Sequence, residues 1–263
     1  PADEDDFVAV RAVLEHGRRR RLGRLNSACR GRETYASPAP WSRMDKERIR
    51  ERVWDDLEAS GEARFPFPPH GRIPNFAGAD AAADRLAGTP AWAAASTVKA
   101  NPDAPQLPVR RAALRAGKVL YVAVPRLRDE RAFRRLDPAD VDDVDAATTV
   151  SGIDEYGDPV GPAAMDPVDL VVSGSVAVND RGTRIGKGEG YSDLEFAVLR
   201  GFDLVDETTT TATTVHERQV MDAALPTDDH DVPMDLVVTP ERTVGTGATG
   251  KPTGVDWGAL SEE

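Results

Sequence analysis

Asp169-Leu-Val-Val-Ser-Gly-Ser-Val-Ala-Val178, then Arg184-Ile-Gly-Lys-Gly-Glu-Gly-Tyr-Ser-Asp193, then Leu194-Glu-Phe-Ala-Val-Leu199 decide how this chain is read. The first run has the apolar, β-branched make-up of a buried strand, and the last has that of a helix. Strand, glycine-rich loop and helix together offer free backbone N–H groups to an anion. Arg184 and Lys187 add two cations to the loop, and Asp193 stands at the expected helix start, where a carboxylate can also ligate a hard metal ion. These are the parts that hold a polyphosphate and its metal. The loop is not a Walker loop, because no Gly-Lys-Ser/Thr ends it. Nor is it the dinucleotide fingerprint, whose third glycine falls at another offset.

Outward from this stretch, helical and strand patterns alternate. Ile49, Val53, Trp54 and Leu57 recur at helical spacing and predict a helix over 45–60. The run 65–75 is a proline-rich loop. Helices are expected over 79–86, 109–116 and 217–224, and strands over 93–99, 119–124, 170–178, 209–215 and 234–238. Residues 128–165 are acidic and weakly patterned and read as a surface excursion. Residues 245–258 are glycine-rich and read as frayed, and no internal repeat is evident. Alternating strands and helices predict an α/β domain around a mostly parallel sheet.

Composition narrows the partners. The formal charge is −12 over 263 residues, and only five basic residues are lysines, at 46, 99, 118, 187 and 251. An acidic, lysine-poor surface stays solvated at high salt, which points to a saline (halophilic) cytoplasm; an acidic protein from a GC-rich genome is the plainer alternative. Nucleic acid is disfavoured as a partner for the main body. Cys29 is the only cysteine, so neither an internal disulfide nor a cysteine-rich zinc site is expected. No apolar run approaches the roughly 20 residues that span a bilayer, and the expected setting is cytoplasmic. Residues 1–43 carry nine Arg against six acidic residues. We read them as an extension from a mis-set start or as a basic arm, residues 44–242 as the α/β domain, and residues 243–263 as a glycine-rich tail.

Two further elements bear on chemistry. Lys46-x3-Arg50 puts two cations on one helix face. The segment 225–240 collects carboxylates before a strand; Asp235 at the strand start is a candidate second metal ligand, while Asp228, Asp229 and Asp231 read as an acidic loop. His216 and His230 read as surface or capping histidines.

Lys46-x3-Arg50, Arg184-x-Gly-x-Gly-x-Gly-Tyr-x-Asp193 and Val232-Pro-Met-Asp-Leu-Val-Val-Thr239 occur in this order. Together they resemble the 5-formyltetrahydrofolate cyclo-ligase (methenyltetrahydrofolate synthetase) family over about residues 44–242. The resemblance is nearest to its divergent domain-containing branch, which carries Arg72-Ile-Pro-Asn-Phe76, Val98-Lys-Ala-Asn-Pro-Asp103, Pro105-Gln106 and Gly186-Lys-Gly-Glu-Gly-Tyr191. It implies a three-layer fold of the NagB/RpiA/CoA-transferase type. It also implies ATP- and Mg²⁺-dependent closure of 5-formyltetrahydrofolate, or a related pterin, to the 5,10-methenyl form. By that resemblance Lys46, Arg50, Arg184, Ile185, Gly186, Lys187, Gly188, Glu189, Gly190, Tyr191 and Ser192 bind ATP, with Arg184 and Lys187 catalytic. Asp193 and Asp235 hold Mg²⁺, and Tyr191, Asp103 and Gln106 face the reduced folate or pterin. The chain departs from the family's pattern at Glu189, where a basic or small residue is usual, and at Ser192, where a second tyrosine is usual. The folate-side Glu-x-x-Thr is not recognisable; Asp103 and Gln106 occupy that region. The resemblance leaves room for two alternatives: a related enzyme on another pterin, or a non-catalytic nucleotide- or folate-binding protein.

Overall fold

The computed structural model describes residues 40–124 and 130–254. Cys29 and most of the basic segment expected at 1–43 lie outside them. Helix α1 (Pro40–Ala59) turns Val53, Trp54 and Leu57 inward. A small strand pair, β1 (Ala63–Arg64) and β2 (Asn75–Phe76), brackets the proline-rich loop. Helices α2 (Ala79–Ala87) and α3 (Pro90–Ala94) lead into β3 (Thr97–Ala100), and α4 (Leu107–Arg115) into β4 (Val119–Ala123).

Beyond β4 the chain differs from its sequence-based reading. Residues 128–165 hold strands β5 (Phe133–Leu136) and β6 (Asp158–Val160), with short helices α5 (Val144–Ala147) and α6 (Val150–Tyr156) between them. Phe133 and Leu136 are fully buried. Their apolar spacing is diluted by Arg134 and Arg135, which hid the strand. The expected strand over 170–178 breaks in two, β7 (Leu170–Val172) and β8 (Ala177–Asn179), because Ser173-Gly174-Ser175 turns the chain into another sheet. Strand β9 (Arg184–Ile185), helix α7 (Tyr191–Gly201) and strand β10 (Thr210–Thr214) follow. The helix expected over 217–224 is a single 3-10 turn capped by His216, then strand β11 (Val220–Met221). Strands β12 (Leu236–Val238) and β13 (Thr243–Gly245) are the last among the described residues, so the segment expected to fray begins as a paired strand.

The main sheet runs β13-β12-β10-β7-β3-β4-β5-β6. Its five central strands, β12 to β4, are parallel; β13 at one edge and the β5–β6 ribbon at the other are antiparallel. Central parallel strands are covered on both faces, so they read as continuous apolar runs. Val98, Ala100, Leu120, Val122, Leu170 and Val172 pack with residues of α2 and α4. Tyr121, Ala123 and Val171, on the other face, pack with Phe196, Val198 and Leu199 of α7. The result is the expected three-layer α/β arrangement. Helix α1 covers the second sheet, β11-β8-β9, through Val53, Trp54, Leu57, Val176, Ala177 and Ile185.

A repeated peptide locks the amino ends of the parallel strands, contrary to the expectation that none exists. Pro167-Val-Asp-Leu-Val-Val172 and Pro233-Met-Asp-Leu-Val-Val238 make β7 and β12. Asp169 Oδ2 accepts from the N–H groups of Ser96 and Thr97 at 2.7 and 3.0 Å, and Asp235 Oδ2 accepts from Thr211 N–H at 2.8 Å. Each carboxylate also meets the threonine hydroxyl of its neighbour strand. Asp235 in addition receives Lys251 Nζ at 2.8 Å, and Lys251, from the glycine-rich tail, is buried. Charged acceptors engaged this fully contribute several hydrogen bonds each. We expect Asp235→Ala to lower unfolding free energy by about 2–4 kcal/mol in urea melts, with no change in the Mg²⁺ dependence of nucleotide binding.

Candidate functional site at the switch point of the sheet

The chain leaves β3 towards β4 on one side and returns through β7 on the other, so the strand order reverses between β3 and β7. Open parallel sheets bind ligands at the carboxyl ends of strands beside such a reversal. A cavity of about 250 Å³ lies there. Asn101, Pro102 and Asp103 after β3, Ala123 and Val124 at the end of β4, and Gly174 after β7 form its floor and sides. Arg184, loop residues 186, 187 and 189–193, and Glu195 of α7 line the rest, with Ile73 from the proline-rich loop.

The glycine-rich loop takes a shape that side chains resist. Gly188 and Gly190 have φ of +108° and +74°, and Gly190 ends the loop at the N-terminus of α7. Residues other than glycine are strained there. A Cβ on Gly186 would come 3.1 Å from Arg184 Nη1. Among the described residues no acceptor meets the N–H groups of 187–190, and Lys187, Glu189 and Gly190 line the cavity.

The cations expected around the phosphates have different tasks. Arg184 is buried; Nη2 donates to both Asp193 oxygens at 2.7 and 2.6 Å, and Nη1 to Gly174 O at 2.9 Å. Despite full desolvation, Asp193 keeps the guanidinium above its ordinary range. Arg50 Nε holds Gly186 O at 2.8 Å, and its Nη1 meets Glu47, so it fixes the loop backbone. Lys46 is buried between Asp228 and Asp231, 2.7 and 2.6 Å away, and does not line the cavity. The carboxylates read as an acidic loop are thus its counter-ions. Lys187 is half-buried and pairs with Glu189 at 2.8 Å. Ile185 packs beneath the loop, Ser192 Oγ bonds Ser173 Oγ at 3.0 Å, and Tyr191 lines the cavity.

The two expected metal ligands do not meet. Asp193 has both oxygens on Arg184 and also accepts from Val232 N–H at 3.0 Å. Asp235 lies at the opposite, amino-terminal edge of the sheet, in the clasp with Thr211 and Lys251, and does not line the cavity. A carboxylate with both oxygens on an arginine is a poor ligand for a hard cation, and Asp193 and Asp235 do not come together to share one ion. The grouping Asp228, His230 and Asp231 is already bridged by Lys46 through both aspartates.

Three buried charged residues at this end of the sheet escaped the sequence reading. Lys99 lies mid-strand in β3, beside Tyr121 and Val171, facing α7. Its Nζ donates to Glu195 of α7 and to Asn101 Oδ1 at 3.2 Å. Both partners of the pair are almost wholly buried. Burial pushes the Glu195 carboxyl up, and Lys99 pulls against it. Arg110 of α4 is buried as well; it donates to Thr148 O, Asn101 O and Asp103 O at 3.0, 2.6 and 3.0 Å. Burial lowers its pKa to about 10. This side chain pins the 101–103 turn that forms the cavity wall. The available signal was a charge between apolar neighbours: Lys99 between Val98 and Ala100, and Glu195 between Leu194 and Phe196.

Of the two residues expected to face the substrate, Asp103 lines the cavity and Gln106 does not. Asp103 lines the cavity, and burial raises its carboxyl above 3.8 in spite of Lys187, Arg110 and Lys99. Gln106 is fully buried behind Gly174, with neither amide atom hydrogen-bonded.

Comparison with known proteins gives a concordant result. A profile of the 5-formyltetrahydrofolate cyclo-ligase family matches residues 43–240. The methenyltetrahydrofolate synthase domain-containing protein of Mus musculus is 45% identical over 226 residues, covering 84% of this chain and 60% of its own length. The Homo sapiens protein of that name is 39% identical over 225 residues, with 84% and 58% covered. The chain thus spans about 60% of the length of these relatives. Aquifex aeolicus 5,10-methenyltetrahydrofolate synthetase superposes with a TM-score of 0.49 at 18% identity, over 77% of this chain and 93% of that one. The Mycoplasma pneumoniae synthetase gives 0.43 at 13%, over 74% and 98%. Both structural likenesses are too loose to carry an argument.

The raised Asp103 carboxyl predicts a pH effect. A group whose folded pKa lies above its unfolded value favours the fold while protonated, and that contribution is lost as pH rises through the folded pKa. Asp103→Asn should therefore raise Tm at pH 7, and the gain should shrink as pH falls towards 3.8; thermal melts across that range measure it.

Proposed function

The chain belongs to the 5-formyltetrahydrofolate cyclo-ligase family, and from that premise we propose that it is an ATP- and Mg²⁺-dependent cyclo-ligase acting on a formylated reduced pterin. The supporting observation is the bare glycine loop at the N-terminus of α7, set against the cavity at the switch point. Phosphoryl transfer asks a protein mainly for positioning and charge stabilisation. The loop N–H groups supply the anion cradle, and Lys187 supplies a cation that can leave Glu189 for a phosphate oxygen. Arg184, Arg50 and Asp193 hold the loop in shape. Tyr191 borders both nucleotide and pterin, Asp103 faces the pterin, and Gln106 lies behind Gly174, outside the cavity lining.

In the reaction the formyl oxygen attacks the γ-phosphorus and ADP departs. N10 then attacks the activated formyl carbon, N10 loses its proton, and inorganic phosphate leaves as the five-membered ring closes. Mg²⁺ usually rides on nucleotide phosphates, keeping several waters, and offsets their charge. A second reading, a nucleotide- or folate-binding protein without turnover, draws on the internal pairing of Lys46 and Arg184.

Protein, ATP, Mg²⁺ and 5-formyltetrahydrofolate should give methenyl absorbance; intact ATP binding without that signal rejects the substrate. Lys187→Ala should lower turnover by about 10²–10³-fold with unchanged circular dichroism. Glu189→Gln should tighten ATP by about 2- to 5-fold in calorimetric titration, because it removes the carboxylate that competes for Lys187.

A further inference from the structure

Glu195 is 4% exposed and still lines the cavity. Its Oε2 is taken by Lys99, and among the described residues no donor meets its Oε1. The Asp103 carboxylate, on the same wall, has no hydrogen-bond donor among the described residues either; its stabilising neighbours act through charge alone. Gln106, behind Gly174, adds an amide with donor and acceptor both unused. Of these three, the Gln106 amide is buried without a partner, while the Glu195 and Asp103 carboxylates line the cavity, where a ligand can supply the donors that the protein does not.

The unused groups define that partner's chemistry. Carboxylate oxygens ask for N–H donors, and the flanking Ala123, Val124 and Ile73 ask for a flat apolar body. Lys99 holds Oε2 of Glu195 and leaves Oε1 for a partner in the cavity. Asp103 feels Lys187 of the loop as its strongest cationic neighbour, whereas Glu195 is already paired with Lys99, so its remaining oxygen suits an uncharged, donor-rich group of a ligand.

We propose that Glu195, oriented by Lys99, is the specificity-determining residue of the cavity and reads the paired N–H donors of a 2-amino-4-oxo pyrimidine ring. This rests on the cyclo-ligase reading and deepens it. It names the ring edge that is recognised and the side chain that recognises it. A ring with a 2-oxo group in place of the 2-amino group turns a carbonyl oxygen towards a carboxylate. Such a mismatch leaves both groups unpaired, which costs far more than a missing contact.

The test uses binding alone, with the whole chain, and needs no turnover. Tetrahydropterin and tetrahydrolumazine, which differ in that one group, are titrated calorimetrically. The wild-type protein should prefer the pterin by about 10- to 100-fold. Glu195→Gln should bring the two within about 3-fold. Because that change leaves Lys99 buried without its counter-ion, the double variant Lys99→Leu with Glu195→Leu is measured beside it; replacing a buried ion pair by apolar residues is often tolerated. It too should lose the preference. Equal binding of the two rings by the wild type, binding of neither, or a preference retained in the double variant overturns the proposal. The methenyl assay separates the two readings. Turnover with equal ring binding keeps the cyclo-ligase and rejects the role of Glu195; a pterin preference without turnover does the reverse.

Discussion

Everything near the cavity depends on one buried ion pair, Lys99 with Glu195. A lysine in the middle strand of an eight-stranded sheet is costly to desolvate, and only an opposite charge from the covering layer offsets that cost. Glu195 answers from α7, so the pair fixes where α7 lies over the sheet and in which rotation. The helix carries the glycine-rich loop at its N-terminus, and the loop therefore inherits its position from a contact two layers deep. Arg184 with Asp193 repeats the device at the start of the same helix, bridging it to the end of β7 through Gly174 O.

The same economy explains why cations so evident in the sequence do different work in the fold. Arg184, Arg50 and Lys46 stand where a phosphate site wants charge, yet each is spent on an internal carboxylate or carbonyl. What they provide is rigidity in a loop whose glycines would otherwise wander. Lys187 alone among the four is half-exposed at the cavity with a partner on the loop itself. Pre-organisation of a flexible loop by buried charge is a recurrent route to anion binding, because the bare N–H groups bring no reorganisation cost when the ligand arrives.

Much of the fold was legible because parallel strands buried on both faces leave long apolar runs: 119–123 and 210–214 came out within one residue at each end. The loop was legible from its glycines, whose backbone angles no other residue adopts easily. Reading failed where physics is non-local. Nothing in Ser173-Gly174-Ser175 says that the chain changes sheets. Arg134 and Arg135 masked a strand whose buried ends are Phe133 and Leu136. Lys46 looked like a ligand for phosphate because its partners, Asp228 and Asp231, are more than 180 residues away. Asp235 looked like a metal ligand because the copy of its peptide at Pro167–Val172, with Asp169 in the same clasp, went unnoticed.

Lys251 has a consequence for where this unit ends. The family profile stops at residue 240, but the clasp on Asp235 is completed eleven residues later by a buried ammonium that also donates to Glu207 O and Thr209 O at 3.1 and 2.9 Å. A boundary drawn by resemblance thus cuts through a bonded network. The smallest piece with its aspartate clasps intact is longer than the piece the family profile matches, and the glycines between β13 and Lys251 are the slack that lets the chain double back to close it.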